Sequence, residues 1–201
     1  MLELICGPMF SGKTEELIRR LRRAKIARQR VVVFKPKIDI RYDEVQIVSH
    51  SAWRIPSIPV EDAAEMTHCL EQLSATVDVV GIDEAQFFDN TLIKFVQDLA
   101  DTGTRVVVAG LDQDYLGEPF GPVPHLLAIA DTVTKQHAVC LKCGAPATRT
   151  QRVQSESAQA SQDLVFVGAI ESYEARCRRC HVRPVDYPTS VHHDGDLHAP
   201  L

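Results

Sequence analysis

The feature that most constrains the fold of this chain is a glycine-rich motif that follows an N-terminal apolar run. Residues 7–14 read GPMFSGKT, which is G-x-x-x-x-G-K-[ST], and they come directly after the apolar segment 2–5. In a phosphate-binding loop (P-loop), glycines let backbone N–H groups surround phosphate oxygens, and the following helix points its positive dipole end at them. The sequence therefore predicts a strand, a loop and a helix that together bind a nucleoside triphosphate.

Short apolar runs alternate with helical patterns over the first two thirds of the chain. The runs are 2–5, 31–34, 77–82 and 105–109, and the helical patterns are 14–27, 63–73 and 91–99. Runs of this kind are typical of strands buried on both faces of a parallel sheet, so the alternation predicts an α/β fold. Ligands of such sheets bind at the carboxyl ends of the strands. The P-loop and the residues after 82 and 109 should therefore share one crevice.

Composition limits the classes of function. The chain has 201 residues, 45% of them hydrophobic, which is enough for one full domain and a smaller appendage. The net charge of −5 argues against general binding to nucleic acid. In the first helix, Arg19, Arg20, Arg22, Arg23 and Lys25 lie off the apolar stripe and predict a solvated face. The sequence shows neither a leader pattern nor an apolar run of 18 residues, so we expect a cytoplasmic protein without membrane contact.

Two adjacent carboxylates follow the third apolar run. Asp83 and Glu84 begin the segment DEAQFF at 83–88, directly after residue 82. An acidic residue at this position of a P-loop protein binds Mg²⁺, directly or through water. Glu84 is then available to accept a proton from an attacking hydroxyl or to orient a water.

Four of the six cysteines form two pairs with metal-site spacing. Cys140 and Cys143 form one C-x-x-C pair, Cys177 and Cys180 form the other, and 33 residues separate the pairs. This pattern predicts a structural four-thiolate zinc site that closes the base of a long loop. We expect Cys6 and Cys69 to be packed side chains without chemistry.

The composition changes after about residue 132, which predicts a second unit. We divide the chain into a nucleotide-binding domain at 1–136, a zinc-binding lasso subdomain at 137–187 and a frayed tail at 188–201. The loop between the cysteine pairs carries an apolar segment and a Gly-led turn at 164–173. Such a segment is able to fold over a bound ligand and exclude water.

Taken together, these motifs resemble the cellular-type (type II) thymidine kinases. That family carries a GPMFSGKT P-loop, a DE-x-QFF segment, four zinc cysteines and a V-x-V-G-(G/A) turn that leads to Tyr and CR-x-C. The matching positions here are 7–14, 83–88, the four cysteines, 165–169, Tyr173 and 177–180, and the match covers about 1–188. The resemblance implies a P-loop NTPase (RecA-like) parallel sheet flanked by helices, with a small zinc-bound lasso subdomain.

The resemblance also implies an activity and its residues. ATP with Mg²⁺ donates its γ-phosphate to the 5'-hydroxyl of thymidine, and of deoxyuridine, in nucleotide salvage for DNA synthesis. Glu84 is implied as the base, with Lys13 and Arg41 assisting the transfer. The residues implied at the triphosphate are Gly7, Pro8, Met9, Phe10, Ser11, Gly12, Lys13, Thr14, Asp83, Glu84, Ala85 and Gln86. Those implied at the nucleoside are Met9, Asp39, Arg41, Phe87, Leu111, Tyr115, Phe120, Thr150, Leu164, Val165, Phe166, Val167, Gly168 and Tyr173. Family members are usually homotetramers inhibited by thymidine triphosphate (dTTP).

Three other interpretations of the motifs are weaker. An ATP-driven motor or helicase fragment would explain the DEAQ segment, but a helicase core needs two such domains. A zinc-ribbon nucleic-acid binding protein would explain the arginines near Cys177 but leaves the P-loop unexplained. A GTPase would need an aspartate where TKQH at 134–137 has histidine.

Overall fold

The computed structural model describes residues 1–37, 46–48, 54–153 and 172–183, and its centre is a six-stranded sheet. The strands are β1 (Leu2–Cys6), β2 (Val31–Pro36), β3 (Gln46–Val48), β4 (Arg54–Pro56), β5 (Ile58–Val60), β6 (Val79–Ile82), β7 (Arg105–Gly110), β8 (Thr132–Lys135), β9 (Ala138–Val139), β10 (Pro146–Ala147), β11 (Arg149–Arg152) and β12 (Tyr173–Arg176). The helices are α1 (Lys13–Ile26), α2 (Ala63–Glu71), α3 (Thr91–Asp101) and α4 (Val123–Ile129), and a 3-10 turn spans Ala85–Phe87.

The strand order β5-β2-β6-β7-β1-β8 places the P-loop strand inside the sheet, and every pairing in it is parallel. Cys6 pairs with Gly110 and Ile82 pairs with Val108, so β1, β6 and β7 end at the same edge. Helices flank this sheet. The predicted α/β class is therefore confirmed, with element ends within about two residues of those expected.

Two apolar cores cover the two faces of the sheet. On one face, Leu17, Ile18 and Leu21 of α1 pack with strand residues that include Val107 and Ala109. On the other face, residues of α2, α3 and α4 pack with Val106, Val108 and their neighbours. Successive side chains of a strand point to opposite faces, so β7 contributes to both cores. This explains why the four inner strands of the sheet appear in the sequence as continuous apolar runs.

One side chain of α1 departs from the predicted solvated face. The Arg20 guanidinium is largely buried and donates hydrogen bonds to the Glu3 and Glu16 carboxylates, at 2.8 Å each, and to the Thr134 hydroxyl. Arg105 pairs with the same Glu3, at 2.6 Å. The expectation was wrong for Arg20 because Glu3 lies inside the sheet and needs a cationic partner. Arg19, Arg22, Arg23 and Lys25 are exposed, as predicted.

The chain after residue 136 forms a third, smaller core. Two antiparallel strand pairs, β9 with β10 and β11 with β12, bring Ala138, Ala147 and Ala175 together with Cys140 and Cys177. Small side chains dominate this core. The division of the chain at residues 136 and 187 stays a prediction.

Candidate active site

Three neighbouring strands of the sheet end in polar or glycine-rich segments. The loop 7–12 follows β1, Asp83 and Glu84 follow β6, and Leu111 and Asp112 follow β7. Because these parallel strands are adjacent and end at one edge, their following segments lie together. The structure thus brings the three predicted segments into one crevice.

The P-loop is held closely against the chain that follows β8. The backbone of Gly7 has φ of 142°, and a Cβ on it would lie 2.3 Å from the carbonyl oxygen of Gln136. A side chain at this position would therefore clash with backbone, so the sharp turn requires glycine. Gly12, with φ of 82°, leads into α1. The loop consequently presents the start of a 14-residue helix to the crevice, a geometry that suits an anion.

The lysine and serine of the motif fold back onto the loop. The Lys13 ammonium donates a hydrogen bond to the carbonyl oxygen of Pro8, at 2.8 Å, and the Ser11 hydroxyl donates to the same oxygen, also at 2.8 Å. Both side chains are buried. Lys13 therefore already lies over the loop that would hold the phosphates.

The second motif contacts the first through a side-chain hydrogen bond. The Thr14 hydroxyl donates to the Asp83 carboxylate, 3.1 Å from Oδ2, and Asp83 is buried at the end of β6. The Asp83 Oδ1 atom accepts a hydrogen bond from the backbone N–H of Glu84, at 3.0 Å. A hydroxyl and a carboxylate at this distance form an oxygen pair of the kind that Mg²⁺ prefers. The site therefore fits a magnesium nucleotide.

Ala85 and Gln86 belong to the 3-10 turn that follows and are buried. The Gln86 amide contacts two other segments of the crevice. Its Nε2 donates a hydrogen bond to the Glu84 carboxylate, and its Oε1 accepts one from the backbone N–H of Leu111, at 2.9 Å.

Aromatic and apolar side chains belong to the segments that follow β6 and β7. Phe87 and Phe120 meet edge to face with ring centroids 5.9 Å apart, and Leu111 and Tyr115 are buried. The Thr150 hydroxyl accepts a hydrogen bond from the backbone N–H of Met9, at 3.1 Å, which joins β11 to the P-loop. Tyr173 lies on β12, where it pairs with Arg152 of β11.

The loop after β7 forms a compact turn that the sequence motifs did not identify. The buried Asp114 carboxylate accepts hydrogen bonds from the backbone N–H groups of Leu116 and Glu118, at 2.8 and 2.9 Å. Burial raises the pKa of Asp114 even though these amides oppose the change. Tyr115 lies within this turn, and the backbone N–H of Phe120 donates to the Asp112 carbonyl, at 3.3 Å.

Asp112 and Lys135 form an ion pair that sequence reasoning missed. The Lys135 ammonium lies 2.6 Å from the Asp112 carboxylate, which is 4% exposed. Both residues lie at the carboxyl ends of sheet strands, the signal that led to Asp83. Burial, followed by the nearby Asp112 charge, raises the pKa of the Cys6 thiol to about 11, so Cys6 is a packed thiol as expected.

The four paired cysteines converge on one point. Their sulfur atoms all lie within 4.8 Å of one another, and this is the cluster of metal-ligating side chains found among the described residues. Each pair forms a tight turn in which the backbone N–H of Gly144 donates to the Cys140 carbonyl, and that of His181 donates to the Cys177 carbonyl. Burial raises the pKa of Cys140, but backbone amides of Cys177 and neighbouring residues outweigh it and lower the pKa to about 6. Four thiols in this arrangement fit a tetrahedral metal site.

The unit that holds the four cysteines contacts the loop after β7 through side chains of β11 and of the segment after Cys180. Arg149 donates to the Gly117 carbonyl, at 2.9 Å, and the Arg152 guanidinium lies 5.5 Å from the centre of the Tyr115 ring. His181 Nε2 lies 2.9 Å from the Tyr115 carbonyl oxygen. Because a carbonyl oxygen only accepts, Nε2 carries the N–H hydrogen and donates this bond. The sequence did not predict these contacts because they join distant segments.

Seven predicted nucleoside residues lie outside the described residues. They are Asp39, Arg41, Leu164, Val165, Phe166, Val167 and Gly168. The predicted tail at 188–201 also lies outside them.

Comparison with known proteins gives two findings. The model of the thymidine kinase family matches residues 1–181. A thymidine kinase from Rhodothermus sp. (strain ITI 518) is 54% identical over 190 residues, which cover 94% of this chain and 84% of the relative. Within the described part of the chain, no helix has the length and apolar character needed to cross a membrane.

Proposed function

The chain belongs to the thymidine kinase family, and from this premise we propose which of its residues transfer the γ-phosphate of ATP to the 5'-hydroxyl of thymidine. The observation that carries the proposal is the hydrogen bond from Thr14 to Asp83, 3.1 Å long. It joins the P-loop to the acidic segment after β6, so that the phosphates, a cation and a base would act at one place.

The P-loop would hold the triphosphate of ATP. Backbone N–H groups of residues 7–14 and the start of α1 would surround the phosphates, and Lys13 would leave the Pro8 carbonyl to neutralise their charge. Thr14 and Asp83 would supply oxygen ligands to Mg²⁺. When bound, this ion neutralises charge on the phosphates.

Glu84 is proposed as the general base. It would accept the proton of the 5'-hydroxyl while the bond from that oxygen to the γ-phosphorus forms and the bond from the γ-phosphorus to ADP breaks. Its place directly after Asp83 supports this role. Little other covalent chemistry falls to the protein, so positioning and charge neutralisation supply the remaining acceleration.

Apolar walls and a few fixed polar groups would bind the thymine base. Phe87, Leu111, Tyr115 and Phe120, with the backbone of Met9 held by Thr150, would form the floor of a pocket that suits a methylated pyrimidine. The remaining nucleoside contacts proposed are Tyr173, Asp39, Arg41 and the backbone at 164–168. A pocket of this kind would also accept deoxyuridine.

The four-cysteine cluster is proposed to hold a structural Zn²⁺. Four thiolates complete a tetrahedron, which leaves no open position for catalysis. Bound zinc would tie β9 and the turn after Cys140 to the turn after Cys177, and so fix the two ends of the loop between the pairs.

Three further properties follow only from the family and are proposals of the same kind. They are a homotetramer, inhibition by dTTP and a cytoplasmic role in nucleotide salvage. Light scattering of the purified protein tests the tetramer, and a titration of activity with dTTP tests the inhibition.

The roles of Glu84 and Lys13 are tested by transfer of labelled γ-phosphate to each deoxynucleoside. We expect Glu84→Gln to lower kcat about 10²- to 10⁴-fold while ATP still binds. Lys13→Met should weaken ATP binding and lower kcat as well. The matched controls are Glu71→Gln at the exposed end of α2 and Lys94→Met on the exposed face of α3, both expected to keep full activity. Full activity of Glu84→Gln would contradict the proposed base.

A further inference from the structure

Gln86 lies between the proposed base and the nucleoside pocket. Its side chain is buried, 2% exposed, and belongs to the 3-10 turn after Asp83 and Glu84. The Gln86 Nε2 donates to the Glu84 carboxylate, and Oε1 accepts from the backbone N–H of Leu111, at 2.9 Å. One amide group thus connects the segment after β6 with the segment after β7.

The chemistry of its two partners fixes which way this amide points. The oxygen and nitrogen of a glutamine amide are exchanged by a half-turn, so their assignment depends on the hydrogen-bond partners. A backbone N–H only donates, so Oε1 must face Leu111. The NH₂ group then faces Glu84, whose ionised carboxylate only accepts. Gln86 is therefore oriented to hold Glu84 in the form that a general base requires.

Two glycines close around Gln86 and restrict its movement. A Cβ on Gly121 would lie 2.4 Å from the Gln86 carbonyl oxygen, and a Cβ on Gly110 would lie 3.0 Å from its Oε1. The first contact leaves no room for a side chain at 121. The main chain and the amide of Gln86 are consequently both confined.

Glu84 needs such support, because its own backbone lies in the left-handed region with φ of 50°. A residue with a Cβ holds this conformation only where its surroundings impose it. The hydrogen bond from Gln86 is one of the contacts that act on the side chain.

We propose that Gln86 is a positioning residue, which orients the Glu84 carboxylate for proton transfer and links it to the pocket through Leu111, and that it is not an ATP ligand. The inference rests on the proposed role of Glu84 as the base. It replaces the ATP contact that the family resemblance implies for Gln86.

Two variants, Gln86→Met and Gln86→Glu, distinguish the contributions of the two hydrogen bonds of Gln86. Methionine has a similar shape and removes both. Glutamate keeps an acceptor for Leu111 but places a second carboxyl group beside Glu84. In both variants we expect kcat to fall about 10- to 100-fold, while KM for ATP stays within about threefold.

The pH profile provides a readout that a merely structural role would not move. Loss of a donor to an ionised carboxylate raises its pKa, and a neighbouring carboxyl group raises it further. The acidic limb of kcat against pH should therefore move to higher pH in Gln86→Met and further in Gln86→Glu. Gln97→Met on the exposed face of α3 is the matched control, and its profile should follow that of the wild type.

The double variant Glu84→Gln/Gln86→Met distinguishes the possible failures. If Gln86 acts through Glu84, the double variant should be no slower than Glu84→Gln within about threefold. A raised KM for ATP with unchanged kcat and pH profile would overturn the proposal in favour of ATP binding. Unchanged kinetics in Gln86→Glu, when Glu84→Gln is inactive, would also overturn it. Activity in Glu84→Gln would instead refute the base itself.

Discussion

At the scale of single residues, the backbone of Glu84 adopts a conformation that glycine would hold more easily. Its φ and ψ are 50° and 43°, and the other described non-glycine residues with positive φ are Phe10 and Arg28. For a residue with a Cβ, the left-handed region costs about 1–2 kcal/mol. Strain of this kind is typical of functional sites, where the position of the side chain matters more than stability.

We predict that Glu84→Gly is more stable than Glu84→Ala by about 1 kcal/mol. Both variants remove the carboxylate, so both should be inactive, but only glycine relieves the backbone. Thermal unfolding of the two proteins measures the difference as a higher Tm for Glu84→Gly.

Arg28 supplies a matched control for this comparison. It has φ of 60° at the exposed end of α1, away from the crevice. Arg28→Gly should exceed Arg28→Ala in stability by a similar amount, with both fully active. If the glycine variant is the more stable one at position 28 but not at position 84, the backbone of Glu84 is not strained and the prediction is wrong.

Short motifs predicted site residues that are close in sequence but did not predict the contacts that only the fold creates. The P-loop, the pair Asp83 and Glu84, and the cysteine pairs have fixed local spacing, which a single sequence displays. The contact from Gln86 to Leu111 and the ion pair of Asp112 with Lys135 join segments about 25 residues apart. Such partners become visible only when strand order is known, because the order decides which loops are neighbours.

At the scale of elements, α1 is fastened to the sheet by a charged network as well as by its apolar stripe. Arg20 donates to Glu16 and Glu3, and Arg19 donates to Glu16 at 2.6 Å. The hydrogen bond from Arg19 has the largest effect on the pKa of Glu16, which it lowers. Burial raises this pKa and Arg20 lowers it further, so that the pKa of Glu16 is about 2 instead of its ordinary value of 4.5.

This lowered pKa predicts a specific loss of stability in acid. A carboxylate with a lowered folded-state pKa stabilises the protein above its unfolded-state pKa, and the contribution disappears as the pH falls through the folded-state value. We expect the Tm difference between wild type and Glu16→Gln to be largest above about pH 5 and to shrink between pH 4.5 and pH 2. Scanning calorimetry across this range measures it. A Tm difference that does not change with pH would show that the ion pairs with Glu16 contribute no stability.

The elements that were not predicted are short or lie at an edge. The sequence analysis found four sheet strands and three helices, because each is an apolar run or stripe of sufficient length. It did not find β5, which has three residues including Pro59, or β8, an edge strand in which Val133 is half exposed. The helix α4 has seven residues with prolines at its start, where proline is tolerated but offers little periodicity. Pairing with an already formed sheet specifies such elements more than their own composition does.

At the scale of the whole molecule, the unit formed by β9–β12 and the four cysteines has a core of its own and contacts the loop after β7 through polar groups. Its core residues form a cluster separate from the two cores of the sheet. Arg149, Arg152 and His181 reach the loop around Tyr115 and Gly117, and Arg183 pairs with Glu118 at 2.9 Å. These contacts hold the wall of the proposed nucleoside pocket. The P-loop connects β1 to α1, packs against the chain after β8, and contacts this unit through the hydrogen bond from Met9 to Thr150.

Removal of the proposed Zn²⁺ should therefore weaken thymidine binding before it unfolds the sheet. A small core of alanine and cysteine side chains buries little apolar surface, so we expect it to need the proposed Zn²⁺ for stability. With rising chelator, we expect metal release and loss of thymidine affinity to coincide, while binding of a fluorescent ADP analogue and the far-UV circular dichroism of the helices largely persist. Addition of Zn²⁺ should restore thymidine binding.

Two cysteine variants make this expectation specific to the cluster. Cys143→Ser removes one of the four converging thiols and should reproduce the effect of the chelator without any chelator present. Cys69→Ser makes the same substitution on α2, outside the cluster, and should bind metal and thymidine as the wild type does. If thymidine binding, ADP binding and helical signal were all lost at one chelator concentration, the cysteine unit and the sheet would form one cooperative structure. In that case the metal would support the whole fold, and the proposed boundary near residue 136 would be wrong.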